Sequence, residues 1–337
     1  MQSYTIFIGI DLSKLWFDAA LCIRGNLKDM PHRRFNQTQK GYTAFLQWVG
    51  SYAKKHHLKG PWLSCMEHTG IYGLALCHFL QQAKQAFVLE NPLRIKRSLG
   101  FRRSKSDRAD ALAIAEYAWR YQNKLSEARK LPNLLLIRLQ ALLSLRARLV
   151  RYRQGLQVAS TELQHCVQPA ISQPIEEYTA TVVRPMDQAI RELIKQSRLL
   201  IRQDQQLEKH YQLLLSIIGI GQVIASYLLV HTNGFTAFKN PRAFACHVGI
   251  APFKQKSGTS LDLPDETSPI ANHRLKVLLS TAATVAVQHD PQIKAFFCRH
   301  LARGKEPGWI YNAVKNKMVH RIFSVINRGT PFVKLDF

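Results

Sequence analysis

The chain is short of acidic residues. It has 22 Asp and Glu against 47 Lys and Arg, which gives 337 residues a net charge of +25 at pH 7. The basic excess is spread along the whole sequence. A charge of this size and distribution favours DNA or RNA as the partner over a small acidic ligand. A solvated basic surface without a partner is the less favoured alternative.

Long apolar runs and paired cysteines are also missing. No run reaches membrane-spanning length, and the N-terminus lacks the charged-then-apolar pattern of a signal peptide. The six cysteines are scattered, without zinc-finger spacing, and several lie in apolar segments, which favours buried reduced thiols over a zinc site. These absences predict a soluble, cytoplasmic protein with no membrane partner. With 46% hydrophobic residues, the chain is long enough for two or three domains.

The first 125 residues alternate strand and helix signals. Three strands come first, and helices and strands then alternate, which predicts an α/β layout with a mixed sheet. The predicted strands are Ile6–Ile10, Leu15–Ile23, a short one around Phe35, Trp62–Met66 and Phe87–Leu89. The predicted helices are Gln37–His56, Ile71–Gln82 and Arg108–Trp119.

Helical signals dominate the remainder of the chain. From Met186 to Leu214, apolar residues recur at steps of four and three, with Ser197 and Asp204 as polar exceptions. This spacing predicts a coiled coil within the chain or between subunits, in a helical region at 126–212. A helix packed on its own domain is the alternative. Residues 213–337 are predicted to be mainly helical. A small-residue loop at 252–260 carries lysines 254 and 256, and a helical tail follows it.

The few acidic residues near the N-terminus occupy informative positions. Asp11 and Glu67 each follow an apolar run, and Asp107 and Asp110 are three residues apart, hence on one face of a helix start. Carboxylates brought together repel one another unless a cation neutralises them, and Mg²⁺ prefers such oxygen ligands. In a basic chain the substrate of such a site is a phosphodiester. A solvated strand end for Glu67 and a helix-dipole role for Asp107 are the structural alternatives.

Asp11 after a first strand is typical both of ribonuclease-H-like nucleases and of actin-like ATPases and sugar kinases. The chain lacks the glycine-rich phosphate and adenosine loops that a kinase needs, and basic residues precede Asp107, so the nuclease class is favoured. The turn at Gly219 and Gly221 predicts backbone N–H groups offered to a phosphate, with a plain helix-helix turn as the alternative. The predicted nucleic-acid contacts are Arg94, Lys96, Arg97, Arg102, Arg103, Lys105, Gly219, Gly221, Lys254 and Lys256.

Five motifs occur in a recognisable order. They are Gly-Ile-Asp at 9–11, Glu67 to Tyr72, Lys105 to Ala111, the Ile-Gly-Ile-Gly turn, and Pro252 to Ser260. In this order, over nearly the whole chain, the sequence resembles the DEDD transposases of bacterial insertion sequences, in the family numbered one hundred and ten with its eleven-eleven subgroup. The resemblance implies a RuvC-like (ribonuclease-H-like) domain at 1–125, a coiled-coil region at 126–212 and a C-terminal transposase domain at 213–337.

The resemblance also implies roles for individual residues. Asp11, Glu67, Asp107 and Asp110 become the ligands of Mg²⁺, with two ions expected, and Ser257 becomes a nucleophile that links to DNA. Thr259 and Ser260 are rival nucleophiles. Three departures from the family pattern, Ser106, His68 and Ile218, remove no group that the mechanism needs.

The function implied by the resemblance is recombination of DNA directed by a structured bridge or seeker RNA. The implied partners are element-end and target DNA, the guide RNA and further copies of the chain, as a homodimer or homotetramer near the bacterial nucleoid. A RuvC-like Holliday-junction endonuclease that uses water is the first alternative. A non-catalytic nucleic-acid-binding protein is the second.

Overall fold

The computed structural model describes residues 4–67, 72–100, 106–125, 133–257 and 261–333, and only the backbone at 254–257 and 261–265. The chain folds as two compact units, Met1–Leu131 and Pro132–Phe337. The finer division into three domains, with limits at 125 and 212, stays a prediction.

The described part of the N-terminal unit is built on a mixed sheet, as the sequence predicts. Its strands lie in the order β3-β2-β1-β4-β5. The central strand β1 is antiparallel to β2 and parallel to β4, and β4 is parallel to β5. The strands are β1 (Ile6–Leu12), β2 (Trp16–Ile23), β3 (His32–Asn36), β4 (Trp62–Glu67) and β5 (Ala86–Glu90).

Helices cover both faces of this sheet. The helices are α1 (Gln39–Lys55), α2 (Leu74–Gln82), α3 (Pro92–Ser98), α4 (Asp107–Arg120) and α5 (Gln122–Leu125). One apolar core joins the sheet to α1 and α2, and a second joins its other face to α3 and α4. The sheet is therefore buried on both sides, which explains why β1 reads as a continuous apolar run.

Helix α4 lies directly on the backbone of β1. A Cβ atom at Gly9 would lie 2.1 Å from the backbone nitrogen of Ala115 and 2.2 Å from the carbonyl oxygen of Ala111. Only glycine on the strand, opposite alanine on the helix, permits this approach. The first turn of α4 is thereby fixed beside the carboxyl end of β1.

The C-terminal unit is mainly helical, as predicted. Its elements are α6 (Leu134–Cys166), α7 (Pro169–Arg202), α8 (Gln205–Leu215), α9 (Gln222–His231), α10 (Pro241–Val248), β6 (Pro252–Ser257), β7 (Leu261–Thr267), α11 (His273–His289), α12 (Pro291–Ala302) and α13 (Pro307–Arg328). The long helices α6 and α7 pack along each other. The predicted apolar seam is not one continuous helix, because Asp204 caps the start of α8 by accepting from the backbone N–H groups of Gln206 and Leu207.

The segment predicted as a small-residue loop contains a β-hairpin. Strands β6 and β7 pair in an antiparallel ladder from Pro252–Thr267 to Ser257–Leu261. Pairing satisfies the backbone groups of both strands, although β6 lacks the alternating apolar pattern on which strand prediction depends and β7 shows it only in Leu261–Leu263. Helix α13 holds the base of the hairpin, since the Asn312 side chain donates to the Ile250 carbonyl at 3.0 Å.

Two smaller expectations concern membranes and thiols. Across the described residues, no helix is both long enough and apolar enough to cross a membrane. Cys22, Cys65 and Cys77 are buried, as predicted, whereas Cys166 and Cys298 are exposed. Cys166 is the last residue of α6, in a mostly exposed stretch, and Cys298 lies on the exposed side of α12.

Candidate active site

Four predicted carboxylates lie at one edge of the N-terminal unit. Asp11 and Glu67 follow the paired residues Ile10 and Met66 on adjacent parallel strands, so both stand at the carboxyl ends of those strands. Asp107 and Asp110 lie in the first turn of α4, which packs on β1. The Ser106 side chain caps this helix by accepting from the backbone N–H of Ala109 at 3.2 Å.

These carboxylates repel one another. The pKa of Asp11 is raised to about 6, first by burial and then by four neighbouring carboxylates. In order of effect the neighbours are Asp110, Asp107, Glu67 and Asp18. The pKa of Glu67 is also raised, by burial and then by Asp110. The edge of the sheet therefore carries negative potential that its surroundings only partly neutralise.

The chemistry of these donors fits a divalent cation such as Mg²⁺, because all four are hard carboxylate oxygens. Within the described parts of the chain, no three Asp, Glu, His or Cys side chains are grouped closely enough to hold an ion. The assignment of Asp11, Glu67, Asp107 and Asp110 as metal ligands stays a prediction.

An arginine that the sequence did not single out lies among these acids. The Arg34 side chain, on edge strand β3, donates from Nε to Oδ2 of Asp18 at 2.9 Å and from Nη2 to Oδ2 of Asp107 at 2.7 Å. Asp18 lies opposite Asp11 in the β1–β2 register and is 2% exposed. His32 Nε2 lies 2.7 Å from the other oxygen of Asp18. Arg34 thus joins a buried carboxylate of the sheet to the first turn of α4.

A second buried acid lies beside Glu67. Glu90 is paired with Glu67 in the β4–β5 register and accepts a hydrogen bond from the Tyr117 hydroxyl at 3.0 Å. Burial, followed by the charge of Glu90, raises the pKa of Tyr117. The signal for Asp18 and Glu90 in the sequence is an acid within or directly after an apolar strand, but their partners depend on strand register.

Three of the basic residues predicted to contact nucleic acid lie on helix α3. Arg94, Lys96 and Arg97 are exposed on α3, around the buried Ile95. Arg94 also lies 3.7 Å from the carboxylate of Glu90. Arg102, Arg103 and Lys105 lie outside the described residues, as does His68.

Ser257 belongs to the C-terminal unit and is the last residue of β6. Its backbone pairs with Leu261, so three residues connect the two strands. Lys254 and Lys256 lie on the same strand. Thr259 and Ser260 lie outside the described residues. The predicted nucleophile therefore stands at the turn end of a hairpin.

The two glycines of the predicted phosphate turn differ. Gly219 has φ +93°, and a Cβ there would lie 2.5 Å from the Ala282 carbonyl oxygen. This glycine is required for close packing on α11. Gly221 is exposed at the N-terminus of α9, and a Cβ there would meet no atom within 4 Å. A phosphate contact at this turn stays a prediction.

Comparison with known proteins adds to this geometry. A family model described as a transposase matches residues 8–164, and one described as a transposase of the IS116/IS110/IS902 family matches residues 211–298. The first range contains all four predicted carboxylates, and the second contains Ser257.

Three curated proteins show further similarity. The chain is 27% identical over 333 residues to a pilin gene-inverting protein of Moraxella bovis and equally to that of Moraxella lacunata, covering 97% of this chain and 98% of each relative. It is 29% identical over 118 residues to an uncharacterized 43.6 kDa protein of insertion element IS110 in Streptomyces coelicolor, covering 35% of this chain and 29% of that one.

Proposed function

Because the chain belongs to the IS110 family of DEDD transposases, we propose that it cleaves and rejoins DNA strands as a recombinase directed by a structured guide RNA. The observation that supports this most is the set of mutually repelling carboxylates at one sheet edge in a chain of net charge +25. Such an edge requires a cation and then attracts a phosphodiester. We further propose that the N-terminal unit is RuvC-like.

DEDD transposases generally depend on divalent metal ions. We propose that Asp11, Glu67, Asp107 and Asp110 hold Mg²⁺, with two ions. When bound, Mg²⁺ stabilises the charge of the reacting phosphate and aligns it. Asp11 loses its proton near pH 6 and is ionised at neutral pH. Arg34 orients Asp107 by donating a hydrogen bond to its carboxylate.

The Ser257 hydroxyl is the proposed nucleophile. Its oxygen forms a bond to the phosphorus of the DNA strand while the bond to the leaving DNA oxygen breaks, and the serine proton passes through water to that leaving oxygen, which becomes a hydroxyl. A DNA hydroxyl then attacks the phosphoserine and releases the serine. The bond energy is conserved, so rejoining needs no ATP. The position of Ser257 at the turn end of a β-hairpin supports this role, because a DNA strand can approach the end of a hairpin.

We propose that the α6–α7 pair mediates assembly into a homodimer or homotetramer. Both helices expose large apolar side chains, which is unusual for a surface without a partner. These include Leu145, Tyr152, Ile171, Tyr178 and Val182. Assembly would let the carboxylates of one subunit act with Ser257 of another and would make cleavage depend on association.

The experiment is capture of the covalent intermediate. The guide RNA is first identified by sequencing the RNA that co-purifies with the protein. The protein is then incubated with this RNA, target DNA and Mg²⁺, and is denatured. A protein–DNA adduct is expected that disappears in Ser257→Ala and persists in the matched control Ser260→Ala. An adduct that maps to Thr259 or Ser260 would reject the assignment of Ser257. Hydrolysed DNA ends without any adduct would favour the junction endonuclease.

The names of the Moraxella relatives favour DNA inversion as a second candidate outcome. Inversion and insertion need the same cleavage and rejoining steps and differ in the joined products. Sequencing the product junctions distinguishes the two.

A further inference from the structure

A row of aromatic rings lies on the surface of the C-terminal unit, on helices α12 and α13. The ring centroids of Phe296 and His300 are 4.4 Å apart, and those of His300 and Trp309 are 5.6 Å apart. Trp309 is 52% exposed. Neither the carboxylates nor Ser257 requires these rings.

Exposed cations surround the row. Lys317 Nζ lies 4.7 Å from the centroid of Phe296, and Lys305 Nζ lies 5.7 Å from that of Trp309. The Arg299 guanidinium lies 5.9 Å from Phe296. Among the residues that the structure describes, none of these three cations has a carboxylate partner within ion-pair distance. The positive charge of these three side chains is therefore accessible to an anionic ligand from solvent.

The basic setting of His300 disfavours its charged form. Desolvation lowers its pKa, and the neighbouring cations, Arg303 and Arg299 before the two lysines, lower it further. A neutral imidazole ring presents a flat face without repelling the cations beside it.

An open groove of about 460 Å³ runs between α12 and α13 beside Phe296 and Lys317. The arginine that lines it, Arg321, is 15% exposed and is held by hydrogen bonds to Asp290 and Gln292. The charge of Arg321 is neutralised inside the fold, whereas the cations at the rim are not. The groove therefore combines an apolar wall with a positive rim.

We propose that this α12–α13 surface binds unpaired nucleotides, with bases stacked on Trp309 and His300 and phosphates held by Lys305, Lys317 and Arg299. Aromatic side chains at a surface stack on base faces, and a duplex hides those faces within its own stack. Exposed cations alone would suit any phosphate backbone, so the rings are what select the unpaired strand. The proposal rests on the nucleic-acid part of the proposed function but not on the carboxylates or Ser257.

Fluorescence tests this surface directly. Trp309 is the only tryptophan of residues 132–337, so the difference between wild type and Trp309→Phe isolates its emission. The full chain is titrated in EDTA, which prevents cleavage, with 15-nucleotide oligo(dT), with oligo(rU) and with a duplex of the same length. Quenching by a single strand is expected in the wild type and is absent from Trp309→Phe. Quenching by either single strand supports the proposal, and the stronger quencher identifies DNA or RNA as the source.

Affinity provides the second measurement. Trp309→Ala is expected to weaken single-strand binding about 10-fold, with duplex binding unchanged, whereas Trp309→Phe keeps a stacking face and most of the affinity. Lys317→Gln is expected to reduce the slope of log K against log salt by ~0.7. Lys195→Gln, an exposed lysine paired with Glu192 on α7, is the matched charge control.

The outcome that overturns the proposal is equal loss of single-strand and duplex affinity in Trp309→Ala, or no loss in either, with thermal unfolding unchanged. No step of this test involves cleavage. Failure of the Ser257 adduct experiment therefore leaves it unaffected, and the reverse also holds.

Discussion

Replacing Asp11 by Asn removes one of the repelling carboxylates without changing the size of the side chain. In the wild type the pKa of Asp11 is raised from 3.8 to about 6, first by burial and then by its carboxylate neighbours. Without a divalent cation, ionised Asp11 therefore destabilises the folded N-terminal unit at pH 7. Asparagine carries no charge, so the variant is expected to be more stable than the wild type under these conditions.

The magnitude follows from the pKa. Raising the pKa of Asp11 from 3.8 to about 6 corresponds to a loss of about 3 kcal/mol in the free energy of unfolding when Asp11 is ionised. Partial exposure of the site to solvent reduces this to ~1–2 kcal/mol. The folded state binds the Asp11 proton more tightly than the unfolded chain does, so wild-type stability falls as pH rises from about 4 to about 6. Below that window the two proteins are expected to be equally stable.

The measurement is denaturant unfolding in EDTA at pH 7 and pH 4. Added Mg²⁺ is expected to stabilise the wild type at pH 7 more than Asp11→Asn, and the variant is expected to lose strand cleavage. Asp29→Asn, at an exposed position of the same unit, is the matched control and should change stability at neither pH. An Asp11→Asn protein that is less stable than wild type at pH 7 in EDTA would refute the reasoning.

Two further substitutions test how the site is held in place. Arg34→Gln removes the guanidinium that donates to buried Asp18 and is expected to lower the free energy of unfolding in EDTA. The exposed neighbour Arg33→Gln is the control, and equal losses in both would contradict a specific role. Gly9→Ala forces α4 away from β1 and is expected to cost about 3 kcal/mol or more, as measured by urea unfolding. Gly155→Ala, on an open helix surface, should be neutral or slightly stabilising.

Strands and helices with strong apolar patterns could be predicted from the sequence. β1 and α4 are examples, because burial fixes which of their residues are apolar. Short elements carried weaker signals. Helix α3 has seven residues, and its start at Asn91 and Pro92 resembles a turn as much as a helix cap. The hairpin β6–β7 was missed because pairing across the ladder, rather than apolar alternation, defines it.

The same limit applies to the candidate site. Asp11 and Glu67 could be found because each follows an apolar strand, and Asp107 because it opens a helix. Arg34 could not, since its contacts depend on the register of β2 against β3, which places it opposite Asp18. A register is a property of two strands together, and no local pattern around Arg34 specifies it.

The Asp18–Arg34–Asp107 link has a consequence for the order of events in the life of the molecule. Arg34 is part of the chain, so it accompanies these acids in every copy whatever the ionic composition of the surroundings. In a zinc finger, by contrast, the ion is needed for folding itself. A built-in counterion separates folding from ion loading, so the N-terminal unit is expected to fold in a magnesium-poor environment. Under the proposed mechanism, ion supply then governs when a strand is cut, and not whether the protein is folded.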